Sequence, residues 1–390
     1  MTAARPEPML SAMRVGAALA LALTLVACSD FSEVSAEADA GTGTATGSQT
    51  TSVASTSVNP TAASGDGSGQ AGTTSGSSTS AVDTSSTGSL EDSSSSTGAT
   101  STGPYPIVLA HGFFGFEDFA GAGFVDYYWG VRDDLASIGE MEVFTPAVDP
   151  FNDSTTRGLQ LLAAVETVIA ETGAEKVNII GHSQGGLDAR VVAHLRPDLV
   201  ASVTTVATPH YGSPVADYAL LIPGGGVIDV LVQLFGGPLW GAIDSSTSLI
   251  ASMEQFSTDG IAVFNEEYTD QPGVEYASIA GRSDNELAAA ECASDDAPPF
   301  ISNWDGVVDP IDPLFAAAEA IVDGGFGSSI PNDGLVRVED SKWGTFLGCI
   351  PADHIDEIGH LFGDGSGGNN AFDHQTFYRN LVGYLRARGL

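Results

Sequence analysis

An apolar run that leads into a glycine-flanked serine constrains the fold of this 390-residue chain more than any other feature. Residues 177–180 are typical of a buried parallel strand, and the sequence Gly-His-Ser-Gln-Gly-Gly follows at 181–186. A helix pattern then continues from residue 187 to 195. A serine on a tight turn between strand and helix presents its hydroxyl at the helix start, where the helix dipole favours negative charge. The pattern predicts that Ser183 is a nucleophile.

Strands and helices are predicted to alternate on both sides of this turn. A strand at 106–110 ends at His111-Gly112, and another strand covers 203–207. Between them, apolar residues at helical spacing predict a helix around 161–169, with Ser154 or Thr155 as its cap and Gly173 at its end. Such alternation predicts an α/β fold, in which helices cover both faces of a parallel sheet.

A serine nucleophile needs a base, and folds with this serine turn carry first an acid and then a histidine downstream. Of the seven histidines, the later ones are His354, His360 and His374. His374 falls in a C-terminal helix pattern and is interpreted as a surface residue. His360 lies at helical spacing from Asp356 and is interpreted as structural. His354 is therefore the predicted base.

The predicted acid is Asp333, which lies in an Asn-Asp-Gly turn directly before an apolar pair. Asp353 and Glu357, which flank the predicted base, are the alternative acids, and a plain turn aspartate is the alternative role for Asp333. Two backbone N–H groups are expected to bind the oxyanion. They are those of Gln184, after the nucleophile, and of Phe113, in the loop after the first strand.

Composition divides the chain into three segments. Residues 1–28 combine arginines with a short apolar run that ends in Leu-Val-Ala-Cys. This resembles a bacterial lipobox, which implies export and a lipid anchor on Cys28 in the cell envelope; an ordinary signal peptide is the alternative. Residues 29–103 are mostly Ser, Thr, Gly and Ala, which predicts a disordered tether. Residues 104–390 are the predicted folded domain.

Charge and cysteine count narrow the partners and the compartment. The chain has 13 basic and 50 acidic residues and a net charge of −37, whereas nucleic acids and anionic lipids are bound by clustered Lys and Arg. Nucleic-acid binding is therefore not expected. Once Cys28 is assigned to the anchor, Cys292 and Cys349 remain, and an even pair in an exported protein predicts a disulfide. Two buried free thiols are the alternative.

Taken together, the motifs resemble those of the true lipases of Pseudomonas and Burkholderia. The likeness runs in order through nearly all of residues 104–390, at 105–122, 157–158, 181–186, 208–213, 332–336 and 354–357. It implies an α/β-hydrolase fold with a mostly parallel sheet, helices on both faces and a helical lid. It further implies a triacylglycerol lipase with Ser183, His354 and Asp333 as its triad, and Phe113 and Gln184 as oxyanion donors.

The resemblance also implies a structural Ca²⁺ that braces the loop with the catalytic histidine. Its carboxylate ligands here are Asp309 and Asp356, and its carbonyl ligands come from His360 and Asp364. The side chains at 360 and 364 depart from the family pattern, but a backbone carbonyl does not depend on its side chain. Hard cations such as Ca²⁺ take oxygen ligands of these kinds. The alternative is that the two aspartates are a helix cap and a solvated acid.

The family places its lid where this chain has a glycine-interrupted apolar run, at 223–249. A fully buried helix is the alternative interpretation of that run.

Two features depart from the family. The first is that Cys349 lies five positions before His354, whereas the second cysteine of the family bridge lies soon after the acid. Family members are also generally released from the cell, whereas the predicted anchor keeps this chain attached. Some members need a dedicated membrane-bound foldase, which the resemblance adds as a candidate partner.

These inferences predict an enzyme that hydrolyses long-chain acylglycerols at a lipid interface through an acyl-enzyme on Ser183. An esterase or polyester depolymerase that prefers short or polymeric acyl groups is the nearest alternative. A surface lipoprotein that only binds apolar ligands is the alternative of a different class. The set of Ser183, His354 and Asp333 argues against that last alternative, because binding alone needs no such set.

Overall fold

The computed structural model describes residues 104–113, 126–222, 246–283, 290–307, 309–313, 315–325, 329–359, 366 and 370–390. The predicted export signal with Cys28 and the predicted tether lie outside the described residues. So do most of the predicted lid, His360 and Asp364. The predictions made for these residues, and the boundaries of the three predicted segments, therefore stay predictions.

Strands and helices alternate along most of the described chain. The strands are β1 (Ile107–Ala110), β2 (Val143–Phe144), β3 (Val177–His182), β4 (Val200–Val206), β5 (Glu275–Gly281) and β6 (Thr345–Ile350). The α-helices are α1 (Val131–Ser137), α2 (Ser154–Thr172), α3 (Gln184–Leu195), α4 (Pro214–Leu221), α5 (Ser246–Phe256), α6 (Thr258–Glu267), α7 (Pro299–Ser302), α8 (Ala316–Val322) and α9 (His374–Ala387). None of the helices in the described part of the chain has the length and hydropathy needed to cross a bilayer.

The six strands form one parallel sheet in the order β2-β1-β3-β4-β5-β6. The chain adds β2 on one side of β1 and then returns to place β3 on the other side. The strand order therefore reverses between β1 and β3. In open sheets of this kind, ligands bind beyond the carboxyl ends of the strands at such a reversal. The segments that follow β1 and β3 contain Phe113 and Ser183 respectively.

Helices cover both faces of the sheet, as predicted. Alternate residues of a strand point to opposite faces, so Ile107 packs in one cluster, with Leu135 of α1 and Phe377 of α9. Its neighbour Val108 packs in the cluster on the other face, with Leu161 of α2. Because both of its faces are buried, β1 is a continuous apolar run without polar alternation. The prediction of a mostly parallel α/β sheet is confirmed.

Helix α2 ends as predicted but is capped one residue earlier than predicted. Its end is Gly173, which adopts the left-handed conformation with φ 69°. At its start, Asp153 is the cap, and its Oδ1 accepts the N–H of Thr156 at 2.9 Å. The prediction of Ser154 or Thr155 as cap was wrong, because the carboxylate just upstream already accepts that donor.

Cys292 and Cys349 form the predicted disulfide. The bond joins the short 3-10 turn Ala290–Cys292 to β6. Residues 351–359, referred to below as the histidine loop, directly follow β6 and carry His354. The disulfide therefore braces the strand from which this loop departs.

Candidate active site

Ser183 lies between β3 and α3, on the turn formed by residues 181–186, referred to below as the serine turn. Its backbone has φ 54° and ψ −128°, which is strained for a residue with a Cβ. Its N–H donates to Val206 O at 2.9 Å, and Thr208 Oγ1 donates to Ser183 O at 2.7 Å. These contacts hold Ser183 in a strained conformation. Such strain is common at functional sites and indicates a functional role for Ser183.

Glycines let the elements around Ser183 approach closely enough to hold this turn. A Cβ at Gly181 would lie 2.5 Å from the backbone of Gly185, and a Cβ at Gly185 would overlap the carbonyl oxygen of Ala110. A Cβ at Gly112, in the loop after β1, would lie 2.7 Å from the Cβ of Ser183. The loop after β1 therefore lies directly against the serine.

The imidazole of His354 joins Ser183 to Asp333. His354 Nε2 lies 2.9 Å from Ser183 Oγ, and His354 Nδ1 lies 2.8 Å from Asp333 Oδ2. The second carboxylate oxygen, Oδ1, accepts the N–H groups of Leu335 at 2.9 Å and Val336 at 2.7 Å. A carboxylate that only accepts hydrogen bonds assigns the ring proton to Nδ1. Nε2 is then the acceptor for the serine hydroxyl proton.

These three side chains are removed from bulk water. The exposed fraction is 0% for Asp333, 6% for His354 and 9% for Ser183. The backbones are joined as well, because His354 N–H donates to Asp333 O at 2.9 Å. The structure thus brings together the three residues that the sequence predicts, in the order of contacts that general-base activation of a serine requires.

The alternative acids have other partners. The oxygens of Asp353 accept the backbone N–H groups of Asp312 at 3.0 Å, Ile355 at 3.1 Å and Asp356 at 3.0 Å. Glu357 pairs with His182. Among the described residues, the carboxylate that is hydrogen-bonded to the His354 ring is therefore that of Asp333.

A second buried network lies beside the triad. Tyr127 Oη and His182 Nδ1 are 2.7 Å apart, and His182 Nε2 lies 2.8 Å from Glu357 Oε2. Burial, together with neighbouring Asp333 and Asp353, raises the pKa of Glu357 well above its ordinary value. The rings of His182 and His354 are 4.7 Å apart. The network ties the serine turn to the histidine loop, and sequence reasoning missed it because its members are far apart in the chain.

The two predicted oxyanion donors lie on segments that flank Ser183. Gln184 is the first residue of α3, so its N–H has no acceptor within the helix. Phe113 follows Gly112, and its ring packs edge-on against the rings of Phe151 and Phe256. A helix N-terminus and a strand-end loop on either side of the nucleophile are the placement that an oxyanion hole requires.

Three carboxylates gather beside the histidine loop. Asp309, Asp353 and Asp356 each place one oxygen within 4.8 Å of the others. Asp309 and Asp353 are buried, and burial raises the pKa of Asp353. A largely buried set of acidic oxygens fits a hard divalent cation such as Ca²⁺. Asp309 and Asp356 are the predicted carboxylate ligands, Asp353 is an addition, and the predicted carbonyl ligands lie outside the described residues.

His374 is not the surface residue that its place in the helix pattern predicts. It is buried at the first turn of α9, and its Nε2 donates to Trp129 O at 2.7 Å. The first turn of α9 faces the protein interior here, so that expectation was wrong.

Known proteins resemble this chain in fold and in overall sequence. Residues 105–222 match a family model described as alpha/beta hydrolase fold. A triacylglycerol lipase of Vibrio cholerae is 38% identical over 302 residues, which cover 73% of this chain and 89% of that protein. The chain belongs to this lipase family.

A triacylglycerol lipase of Burkholderia plantarii is 31% identical over 325 residues, covering 73% of this chain and 87% of that protein. In the same lipase family, a triacylglycerol lipase of Pseudomonas fragi is 30% identical over 275 residues, covering 66% and 88%. The membership predicted from the motifs is confirmed.

Proposed function

We propose that this protein is a triacylglycerol lipase that hydrolyses the ester bonds of acylglycerols. The observation that carries the proposal is the hydrogen-bonded series from Ser183 Oγ through the His354 ring to Asp333. Binding an apolar ligand without chemistry requires no such series. The activity named for the relatives in the lipase family supports the choice of substrate.

In the first half of the reaction, Ser183 Oγ attacks the ester carbonyl carbon and its proton passes to His354 Nε2. Asp333 stabilises the imidazolium through the bond to Nδ1. The N–H groups of Phe113 and Gln184 stabilise the negative oxygen of the tetrahedral intermediate. The bond to the alcohol oxygen then breaks, His354 gives that oxygen its proton, and a diacylglycerol leaves.

In the second half, water replaces the alcohol. His354 Nε2 takes a proton from the water, whose oxygen attacks the acyl carbon on Ser183. The bond between the acyl carbon and Oγ breaks, and the proton on His354 returns to the serine oxygen. A fatty acid leaves and Ser183 regains its hydroxyl.

The apolar surroundings of the site favour a long acyl chain. Phe113 packs against a buried cluster drawn from α3, α4, α5, α6 and α8. That cluster includes Leu187, Val215, Leu249, Met253, Phe256 and Phe264. The cluster itself is core, but Phe113 is only partly buried, so hydrocarbon placed against its ring would be removed from water; each buried methylene contributes about 0.8 kcal/mol.

Initial rates on emulsified triolein, on tributyrin and on a soluble short-chain p-nitrophenyl ester test the proposal. We expect oleate release from triolein by the wild type and none by Ser183→Ala. Hydrolysis of the soluble ester alone would overturn the lipase proposal in favour of a short-chain esterase or a polyester depolymerase. Failure of a fluorophosphonate probe to label the wild type would favour an apolar-ligand-binding lipoprotein.

We further propose that Asp309 and Asp356 hold a structural Ca²⁺, with Asp353 close by and with the carbonyl groups of His360 and Asp364 as further ligands. The support is the group of three acidic side chains, of which Asp309 and Asp353 are buried and Asp356 is half-buried. When bound, Ca²⁺ supplies the positive charge that offsets these carboxylates. It would thereby tie the histidine loop to the segment that contains Asp309.

The cellular context is proposed from the sequence alone. Cys28 would carry the lipid anchor in the cell envelope, residues 29–103 would act as the tether, and residues 223–249 would act as the lid. A membrane-bound foldase is the proposed folding partner. Metabolic labelling with a palmitate analogue tests the anchor: we expect labelled wild type and an unlabelled Cys28→Ser variant.

A further inference from the structure

Arg157 is a fully buried arginine in the first turn of α2, and each of its three side-chain nitrogens donates at least one hydrogen bond. Nε and Nη2 each lie 2.8 Å from Asp188 Oδ2. Nη2 also donates to His111 O at 2.6 Å, and Nη1 donates to Gly112 O at 3.2 Å and to Asp149 O at 3.0 Å. Four of the five N–H donors of the guanidinium make these hydrogen bonds, and Nη2 also forms an ion pair with Asp188. Three of the acceptors are backbone carbonyls, and two of those belong to the loop after β1.

The ring of His111 supplies a second donor to Gly112 O. Nδ1 lies 2.9 Å from that oxygen, and Nε2 accepts the N–H of Val148 at 3.0 Å. Burial, with a contribution from Arg157, lowers the pKa of His111 to about 3. The ring is therefore neutral near pH 7, and its one proton lies on Nδ1, directed at Gly112 O.

The hydrogen bonds to the Gly112 carbonyl also set the orientation of the Phe113 N–H, because the two groups belong to the same peptide plane. The C=O of Gly112 and the N–H of Phe113 belong to one planar peptide and, in its trans form, point in opposite directions. Two donors that fix the direction of the carbonyl therefore also fix the direction of the N–H. Because Gly112 lies directly against Ser183, this direction is set relative to the nucleophile.

Asp188 connects the same arginine to the second oxyanion donor. It is buried on α3, the helix that begins at Gln184. Through Asp188, the Arg157 guanidinium joins that helix to the loop that ends at Phe113. The two N–H groups are thereby held in position relative to each other.

We propose that Arg157, assisted by His111, is a positioning residue for the oxyanion hole. It holds the Gly112 carbonyl so that the Phe113 N–H points at the oxygen that becomes negative during ester attack. The inference rests on the proposed function, since it needs an ester carbonyl attacked by Ser183. Arg157 touches no reacting atom. A misdirected oxyanion donor weakens binding of the transition state more than binding of the substrate, so kcat and not KM should respond.

The test compares Arg157→Lys with Arg190→Lys. Lysine keeps the charge but lacks the planar fork that reaches several acceptors at once. Arg190 is the matched control because it is also buried, and it donates to Asn265 Oδ1 and Tyr268 O, each at 2.8 Å. Both substitutions should lower Tm, so that stability alone does not distinguish them.

Only Arg157→Lys should impair the oxyanion hole. We expect its kcat on a soluble p-nitrophenyl ester to fall about 100-fold, with KM within about threefold of wild type, as for loss of one oxyanion donor. Affinity for an alkyl boronic acid, which forms a tetrahedral adduct with an active-site serine, should fall by a similar factor. Unchanged kcat and boronate affinity in a folded Arg157→Lys variant would overturn the proposal.

If Arg157→Lys does not accumulate as folded protein, His111→Asn and His111→Leu carry the test. The asparagine amide keeps a donor near the Nδ1 position, so we expect its kcat to exceed that of the leucine variant about tenfold, the value of roughly one hydrogen bond. Equal kcat in the two variants would contradict the proposal. Two measurements on the wild type separate this outcome from failure of the proposed function, because that failure would show as absence of fluorophosphonate labelling or absence of triolein hydrolysis.

Discussion

Ser183 Oγ and His354 Nε2 are 2.9 Å apart, yet the segments that carry these two residues are held in different ways. The serine turn lies between β3 and α3, where Gly181 packs against backbone of the turn itself and Gly185 packs against backbone at the end of β1. The histidine loop has one short 3-10 turn, Asp356–Ile358, as its regular structure. Partners distant in the chain hold it, including Asp333 and His182.

The difference separates two kinds of sensitivity to change. Backbone atoms in contact cannot move aside for an added side chain, so a substitution in the serine turn should lower the stability of the folded protein. The histidine loop depends on side-chain hydrogen bonds, on a disulfide in the preceding strand and on a group of carboxylates beside it. A change there should act on activity or on local stability while the sheet stays folded.

The largest effect on activity is expected for Asp333→Asn. Asparagine keeps the size of the side chain but favours the wrong tautomer of His354, so kcat should fall about 10⁴-fold with little change in Tm. Asp353→Asn is the control, because the oxygens of Asp353 accept backbone N–H groups and not the imidazole. It should keep kcat within about tenfold of wild type when assayed with excess Ca²⁺. Equal losses in the two variants would contradict the assignment of the acid.

In the serine turn, Gly185→Ala should prevent folding or lower the free energy of unfolding by more than about 4 kcal/mol. The added Cβ would overlap the carbonyl oxygen of Ala110, in the neighbouring strand. Gly383→Ala is the matched control, because a Cβ at Gly383, on the exposed side of α9, would have no heavy atom of the described residues within 4 Å. There, alanine should stabilise the helix by up to about 1 kcal/mol. Urea denaturation of both variants measures the difference, and a stable Gly185→Ala enzyme would show that the turn is not fixed by this packing.

Removal of the disulfide should affect the histidine loop more than the serine turn. The Cys292→Ala/Cys349→Ala variant should lose about 4 kcal/mol of unfolding free energy in the chain-entropy model, since the bond closes a loop of 57 residues. Hydrogen exchange should accelerate first in β6 and residues 351–359, and later in residues 181–186. Equal acceleration in both segments would argue against the proposed contrast.

The smallest of these effects is expected on removal of Ca²⁺. EDTA should lower Tm by about 5–10 °C, which corresponds to loss of a ligand present at about 100 times its Kd. Asp309→Asn and Asp356→Asn should lower Tm by themselves and make it insensitive to EDTA. Calorimetric titration with Ca²⁺ should detect one site in the wild type and none in these variants. If the Tm of the wild type does not respond to EDTA, the proposal of a structural Ca²⁺ is wrong.

Sequence reasoning succeeds where neighbours in the chain determine the geometry. The serine turn is visible because strand, glycines and helix follow one another within about one element's length. Asp333 is visible for a related reason: its Oδ1 accepts the N–H groups of Leu335 and Val336, which lie in the same local turn. The predictions of the lipase family, the parallel sheet and the disulfide are also confirmed. Each of them depends on a local motif or on composition.

The features that sequence reasoning missed depend on contacts between distant residues. Tyr127 and Glu357 contact His182 only in the folded protein, where the histidine loop packs beside the end of β3. Their spacing in the sequence gives no sign of these contacts. The sequence offers Asp353 as an alternative acid for His354, whereas its carboxylate accepts N–H groups of the histidine loop and lies beside Asp309. His374 was expected at the surface because a helix pattern does not state which face of its first turn is covered.

The site at which a fluorophosphonate labels the full-length protein, located by mass spectrometry after digestion, tests the role of Ser183 most directly. We predict one adduct, on the peptide that contains Ser183, together with loss of triolein hydrolysis in the labelled enzyme and in Ser183→Ala. An adduct on a different serine, or full hydrolysis by Ser183→Ala, would contradict the claim that this hydroxyl, activated by His354, performs the reaction.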